Sequence, residues 1–333
     1  MIANISDENA IQMGKTGPNV FPIGLGCMGL SGMYGATNDD AGVATIQAAI
    51  EHGITLLDTG DFYGMGHNEQ LIARAIRGRR DKVQLSVKFG AMRSPDGGWV
   101  GIDTRPAAVS NFVAYSLKRL GVEVIDIYRP ARLDPNVPIE DTIGAIAELV
   151  RKGYVRHIGL SEVGTETIRR AHRVHPIVDL QIEYAIISRD PEQKIFPVLD
   201  ELGISATLYG VLSRGLLGGS KPSGTHDFRA RLPRFSPENA TQNAHVVNAL
   251  QGFAAERGMS AGQLAIAWAR AKRPNFVPLI GARTMAQLED ALGALRHPLS
   301  ASELAQLETV IPKDAIAGTR YDSHQMAMLD SER

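Results

Sequence analysis

Residues 139–161 read IEDTIGAIAELVRKGYVRHIGLS. The first half repeats Ile139, Ile143, Ile146 and Val150 at spacings of four, three and four, one face of a helix, and Gly153 supplies a stop. The second half closes on a short apolar run, 157–161, bounded by polar residues. Consecutive apolar positions of this kind fit a parallel strand buried on both faces.

Reading outward, the same unit recurs. Short runs lie at 23–28, 55–58, 83–88, 124–128, 157–161, 178–183, 204–209 and 276–280. Helical patterns fill the spaces at 39–51, 106–120, 139–150, 191–202 and 285–295. Pro106 falls in a first turn, and Thr37 with Asp40 has capping-box spacing. Strand–helix alternation predicts a parallel sheet, and eight repeats favour closure into a single (β/α)8 TIM barrel over residues 1–333, with a core of about 20–311. An extra C-terminal helix starts at Ser300, with Glu303 at capping-box spacing. The polar tail 317–333 is expected on the surface or partly disordered. The segment 210–239, rich in Gly, Ser, Pro and Arg, is a long loop and therefore a functional candidate.

Composition narrows the function. The 333 residues carry a formal net charge of −1, which gives no electrostatic case for nucleic acid or an acidic membrane surface. No stretch approaches 18 apolar residues, and the first fifteen lack a signal-peptide core, so the expectation is a cytoplasmic protein. One cysteine, Cys27, permits no internal disulfide.

Gly24-Leu25-Gly26-Cys27-Met28-Gly29 matches a G-x-G-x-x-G fingerprint. A Rossmann site needs its last glycine to open a helix, whereas here the helix starts about ten residues late. The alternative is that Gly26 and Gly29 end a barrel strand close to a ligand.

In a barrel, chemistry sits where strands end. Asp58 ends the second run, Tyr63 follows it, and Lys88 ends the third. Each has a bland reading: a helix cap, half-buried packing, a solvated rim charge. Together, an acid, a phenol and an amine on adjacent strands suit carbonyl reduction. A phenol with an ordinary pKa of about 10 can protonate a developing alkoxide if an ammonium eases its ionisation and a carboxylate orients that ammonium. A metal-dependent barrel would need a cluster of His, Asp or Glu at strand ends, and only Asp58 and Glu183 qualify. No metal is expected.

Asp58-Thr59-Gly60-Asp61-Phe62-Tyr63-Gly64 with Asn68-Glu69, Ser116 to Leu120 with Asp126-Ile127-Tyr128, Tyr209 to Leu217, and Pro278 to Arg283 together resemble the signatures of the aldo-keto reductase family, from about Val20 to Ile311. The resemblance implies an NADPH-dependent reductase of a small-molecule aldehyde or ketone, with NADH also possible. Tyr63 would be the proton donor, Lys88 the group lowering its pKa and Asp58 the partner of Lys88. Ser161 and Gln181 would hold the nicotinamide carboxamide, and Tyr209 would stack on the ring. Leu212, Ser213, Arg214 and Gly215 would lie along the pyrophosphate. Gly26, Met28, Gly281 and Gln287 would complete the cofactor site, with Arg283 at a 2′-phosphate. Tyr34, Phe62, Trp99 and Arg132 are the candidate substrate residues.

Three positions depart from the family pattern. Alignment on Arg132-x-Asp134-Pro135 places Ala131 where the family has a catalytic His. Arg132 and Trp99 are the nearby candidates to replace its donor, and His67 most simply opens the next helix. Glu162 stands where many members have Asn. Gln287 and Ala291 replace the second basic residue and the Asn of the NADP(H) site. The missing His also leaves a second reading, a cofactor-bound sensor with little turnover, like potassium-channel beta subunits.

Overall fold

The computed structural model describes residues 10–224 and 227–333. The described chain starts in an antiparallel hairpin, β1 (Ile11–Gln12) with β2 (Asn19–Val20). Eight parallel strands then close a barrel: β3 (Gly24–Gly26), β4 (Leu56–Gly60), β5 (Gln84–Phe89), β8 (Ile125–Pro130), β9 (Val155–Ser161), β10 (Ile177–Glu183), β11 (Ser205–Tyr209) and β12 (Val277–Ile280). A second hairpin, β6 (Ala91–Arg93) with β7 (Trp99–Ile102), rises from the end of β5. It turns at Asp96-Gly97.

The barrel holds two kinds of filling. Its lower half is apolar, with Ile11, Met13, Val20, Leu56, Ile127, Val178, Val277 and Leu279 in one buried cluster, so the β1–β2 hairpin plugs the floor. Its upper half is polar. Arg129 of β8 is fully buried and donates to Asp179 Oδ2 (2.9 Å), Ser86 Oγ (2.9 Å) and Thr207 Oγ1 (3.3 Å). Gly159 of β9 is required by this arrangement: a Cβ there would meet Asp179 Oδ1 at 2.7 Å and Arg129 Cζ at 3.1 Å.

Helices Asp39–Glu51, His67–Ala75, Pro106–Leu120, Ile139–Arg151, Thr165–Val174, Ile195–Leu202, Pro237–Ala255, Ala261–Lys272 and Met285–Gly293 clothe the outside. Their buried stripes join one large core, including Val109, Val113, Ile143 and Ile146. The helix expected after Ser300 is present as Ala301–Val310, and Ser300 and Glu303 form the reciprocal capping box. No helix among the described residues is long and apolar enough to cross a membrane.

Several details differ from the sequence reading. The first barrel strand stops at Gly26, and Cys27–Ser31 coils into a 3₁₀ turn, so Met28 lies just beyond the strand. Asn38, not Thr37, caps the first helix, accepting from the Ala41 amide at 2.9 Å. The stretch expected from 191 becomes helical only at Ile195, after a 3₁₀ turn at Asp190–Glu192.

The largest correction concerns the tail. Residues 317–333 fold back over the open end of the barrel, carrying a short helix, Ser323–Ala327. Tyr321 and Leu329 bury against Leu232, with Phe228, Phe235 and Met326 around them. A largely polar sequence is ordered here because its few apolar residues meet the long loop after β11 and Arg320 meets a buried carboxylate.

Candidate active site

The C-terminal ends of the strands bring the expected residues together. Lys88 Nζ lies 2.5 Å from Asp58 Oδ1, and both side chains are buried. Asp58 Oδ2 accepts from Ser86 Oγ (2.8 Å) and Gln181 Nε2 (2.7 Å), so the carboxylate has three donors. The Lys88 ammonium is 5.2 Å from the centre of the Tyr63 ring. Tyr63 is buried in a tight turn in which Gly64 and Met65 both take left-handed backbone angles, with φ of 56° and 51°. Phe62 packs edge-on to it at 4.8 Å.

Electrostatically, the phenol is held in its protonated form. Burial pushes the Tyr63 pKa well above its ordinary value, the Asp58 charge adds to this, and Arg132 acts in the opposite direction. Lys88 is itself lowered, chiefly by burial, while Asp58 opposes that shift. A neutral phenol beside an ion pair is the resting state a proton donor needs. Burial likewise raises the thiol of Cys27, which leaves it inert as a nucleophile.

Ala131 is buried just past β8 and offers no side-chain donor. The guanidinium of its neighbour Arg132 turns back over it, donating to Ala131 O (2.7 Å) and lying 3.5 Å from Ser161 Oγ. His67 opens the helix His67–Ala75 with its ring between Ser31 Oγ (2.9 Å) and Asp39 Oδ1 (3.1 Å). Trp99 is 39% exposed on the β6–β7 hairpin, where Arg93 lies 5.5 Å from its ring and 6.0 Å from that of Phe62.

The remaining rim residues are tied into one network. Glu162 sits just past β9 with φ of 52°. Its Oε1 accepts from the Glu183 amide (2.9 Å), Tyr209 Oη (2.7 Å) and Arg320 Nη1 (3.0 Å). Its Oε2 accepts from Arg320 Nη2 (2.6 Å) and Ser331 Oγ (2.5 Å). Burial alone would raise this carboxyl, but Arg320 reverses the effect and holds it at about 2. Tyr321 meets Tyr209 hydroxyl to hydroxyl at 3.0 Å, and Arg214 stacks on the Tyr321 ring at 4.5 Å while pairing with Glu183 at 2.9 Å. The space left between Arg320, Glu183, Ser188 and Ser331 is about 10 Å³, room for roughly one water. Sequence reasoning missed Arg320, Tyr321, Arg93 and the buried Arg129–Asp179 pair. No local pattern marks any of them.

The expected cofactor loop is a tight turn in which the Ser213 and Gly215 amides donate to Gly210 O (2.6 Å) and Leu212 O (2.9 Å). Ser213, Arg214 and Gly215 take φ of 46°, 56° and 90° in succession. The Ser213 hydroxyl is buried without a partner. At the neighbouring strand end a Cβ on Gly281 would meet nothing. Arg283 reaches back to Tyr34 O (2.9 Å), and its amide donates to Gln287 Oε1 (2.8 Å).

Comparison with known proteins agrees with this architecture. The family model described as "Aldo/keto reductase family" matches residues 22–312. The chain is 38% identical over 318 residues to "Probable aldo-keto reductase 1" of Glycine max, covering 93% of this chain and 91% of that one. Among solved structures, it is similar to a glycerol dehydrogenase from Gluconobacter oxydans (TM-score 0.83, 27% identity, 95% of this chain and 99% of that one). It is also similar to an aldo-keto reductase from Bacillus halodurans in its holo form (TM-score 0.78, 27% identity, 95% and 99%). The (β/α)8 barrel, the matched signatures and these relatives place the chain in the aldo/keto reductase family of carbonyl-reducing oxidoreductases.

Proposed function

We propose that this protein reduces an aldehyde or ketone with NADPH, Tyr63 supplying the proton. The observation that carries the reading is the convergence of Tyr63, Lys88 and Asp58 at one strand-end site, with the ammonium 2.5 Å from the carboxylate and 5.2 Å from the phenol ring.

Features of the rim support a bound dinucleotide. The orphaned Ser213 hydroxyl and the left-handed run from Ser213 to Gly215 suit a pyrophosphate, with Leu212 and Arg214 beside it. Ser161 and Gln181 would hold the carboxamide, and Tyr209 would stack on the nicotinamide ring. Gly26 at the end of the first barrel strand and Met28 just beyond it would border the same cofactor, and Gly281, Arg283 and Gln287 would meet its adenosine end. When bound, a reduced nicotinamide supplies a hydride to the carbonyl carbon. Tyr63 then gives its proton to the carbonyl oxygen. The adjacent ammonium of Lys88, held by Asp58, stabilises the phenolate until solvent returns the proton. Tyr34, Phe62, Trp99 and Arg132 border the substrate side.

Ala131 gives the sensor reading its one support, because the pocket lacks the imidazole that would orient a carbonyl. Losing such a donor costs about 10²–10³ in rate, which slows a reductase without silencing it. Incubation of the purified protein with NADPH and a panel of aldehydes, ketones and quinones separates the two. Turnover supports the reductase. Tight NADPH binding with no turnover of any compound overturns it in favour of the sensor.

A further inference from the structure

The charges at the rim do not cancel residue by residue. Lys88 pairs with Asp58, Arg129 with Asp179, Arg214 and Arg234 with Glu183, and Arg320 with Glu162 and Glu332. Among the described residues, Arg132 has no carboxylate partner. Its nearest acceptors are one carbonyl oxygen, Ala131 O, and the Ser161 hydroxyl. It is half-buried, and its charge interacts with the phenols of Tyr63, Tyr209 and Tyr321. Glu162 is close enough to act on it, but that carboxylate is already saturated by Arg320, Tyr209 and Ser331.

A second cation shows the same imbalance. Arg93 hangs from the β6–β7 hairpin over Phe62 and Trp99 and also lacks a carboxylate partner among the described residues. Both arginines act electrostatically on Tyr63, one from just past β8 and one from the hairpin. A guanidinium presents five donors in a fixed fork, and Arg132 commits few of them, so it can take an incoming anion. The deeper cation is the one an incoming molecule would meet next to the reacting carbonyl.

We propose that Arg132 selects carbonyl substrates bearing a carboxylate, holding it through a charge-assisted hydrogen bond while Tyr63 faces the carbonyl. Arg93 extends the same positive field to the mouth and draws acidic compounds in. This specificity rests on the reductase reading above.

The test uses the full-length protein, NADPH and two probes of one shape: para-formylbenzoate and its uncharged amide, para-formylbenzamide. The wild type is expected to favour the acid by roughly tenfold to a hundredfold in kcat/KM, mainly through KM. That ratio should shrink with added salt, fall toward one in Arg132→Gln and be partly kept in Arg132→Lys. Equal use of both probes by the wild type overturns the proposal. So does an unchanged ratio in a folded, NADPH-binding Arg132→Gln protein. If Arg132→Gln does not fold, the wild-type ratio and its salt dependence decide alone. If neither probe turns over, the wider carbonyl panel decides the reductase reading separately, and fluorescence of the NADPH complex still compares the affinities of the two probes. Tighter binding of the acid then supports the Arg132 site, and equal binding refutes it.

Discussion

Arg320 Nη2 and Glu162 Oε2 meet at 2.6 Å, across 158 residues of sequence, and this pair fastens the C-terminal segment over the strand ends. Arg320 also reaches Glu332 at 2.6 Å, and Glu162 takes the Tyr209 hydroxyl at 2.7 Å. Tail, Tyr209 and barrel rim are therefore one hydrogen-bonded unit.

Removing one partner should be expensive. Arg320→Met leaves Glu162 buried and is expected to cost about 3–5 kcal/mol by chemical denaturation. The loss should be smaller in the double variant Arg320→Met, Glu162→Gln than the two single losses added together. Because the Glu162 carboxyl is depressed to about 2 in the fold, its stabilisation is complete above its ordinary value of 4.5 and disappears as pH falls toward 2. The stability gap between wild type and Glu162→Gln should narrow over that window. A gap that stays constant with pH contradicts the pairing.

Asp58 and Lys88 form the second buried pair, and here the cost falls on function as well. Lys88→Met strands a carboxylate that keeps only Ser86 and Gln181 as donors. Unfolding is expected to be easier by about 3–5 kcal/mol, and carbonyl reduction should be lost. Wild-type stability in Lys88→Met would show that the pair is not buried as described.

Asp61 titrates in the opposite sense. Burial, with Glu69 nearby, raises its pKa from 3.8 to about 7, while Arg119 acts in the opposite direction. Folding therefore keeps a proton that the unfolded chain releases between about pH 4 and pH 7. Stability should fall as pH rises through that interval. Asp61→Asn, which mimics the neutral acid, should flatten the slope and be the more stable protein near pH 8. A wild-type curve that rises over the same range refutes the assignment.

Arg283 tests the cofactor. If it meets a 2′-phosphate, Arg283→Ala weakens NADPH binding by roughly tenfold to a hundredfold in a fluorescence titration and leaves NADH little changed. Equal loss for both cofactors would give Arg283 only its packing role against the Tyr34 carbonyl.

What could be read in advance follows from how each feature is encoded. The barrel strands are buried on both faces, so a run such as 276–280 is apolar enough to stand out, while 178–183 alternates Val178, Leu180 and Ile182 with Asp179, Gln181 and Glu183. Asp58, Tyr63 and Lys88 are legible because strand ends in a barrel share one rim. The tail is not legible, because Arg320 is ordered by a carboxylate 158 residues away and a polar sequence carries no trace of that. Gln181 illustrates a middle case: expected at a carboxamide, it donates here to Asp58 and Thr207, and so links the cofactor side to the ion pair. The β6–β7 hairpin did have a local signal, Asp96-Gly97, but its strands are too short for alternation to register.

The account turns on Tyr63. The most direct measurement is NADPH oxidation by an aldehyde panel, run beside NADPH binding, for the wild type and Tyr63→Phe. The account predicts unchanged NADPH affinity in the variant and a rate lower by about 10²–10⁴. Aldehyde reduction by Tyr63→Phe at the wild-type rate would contradict it.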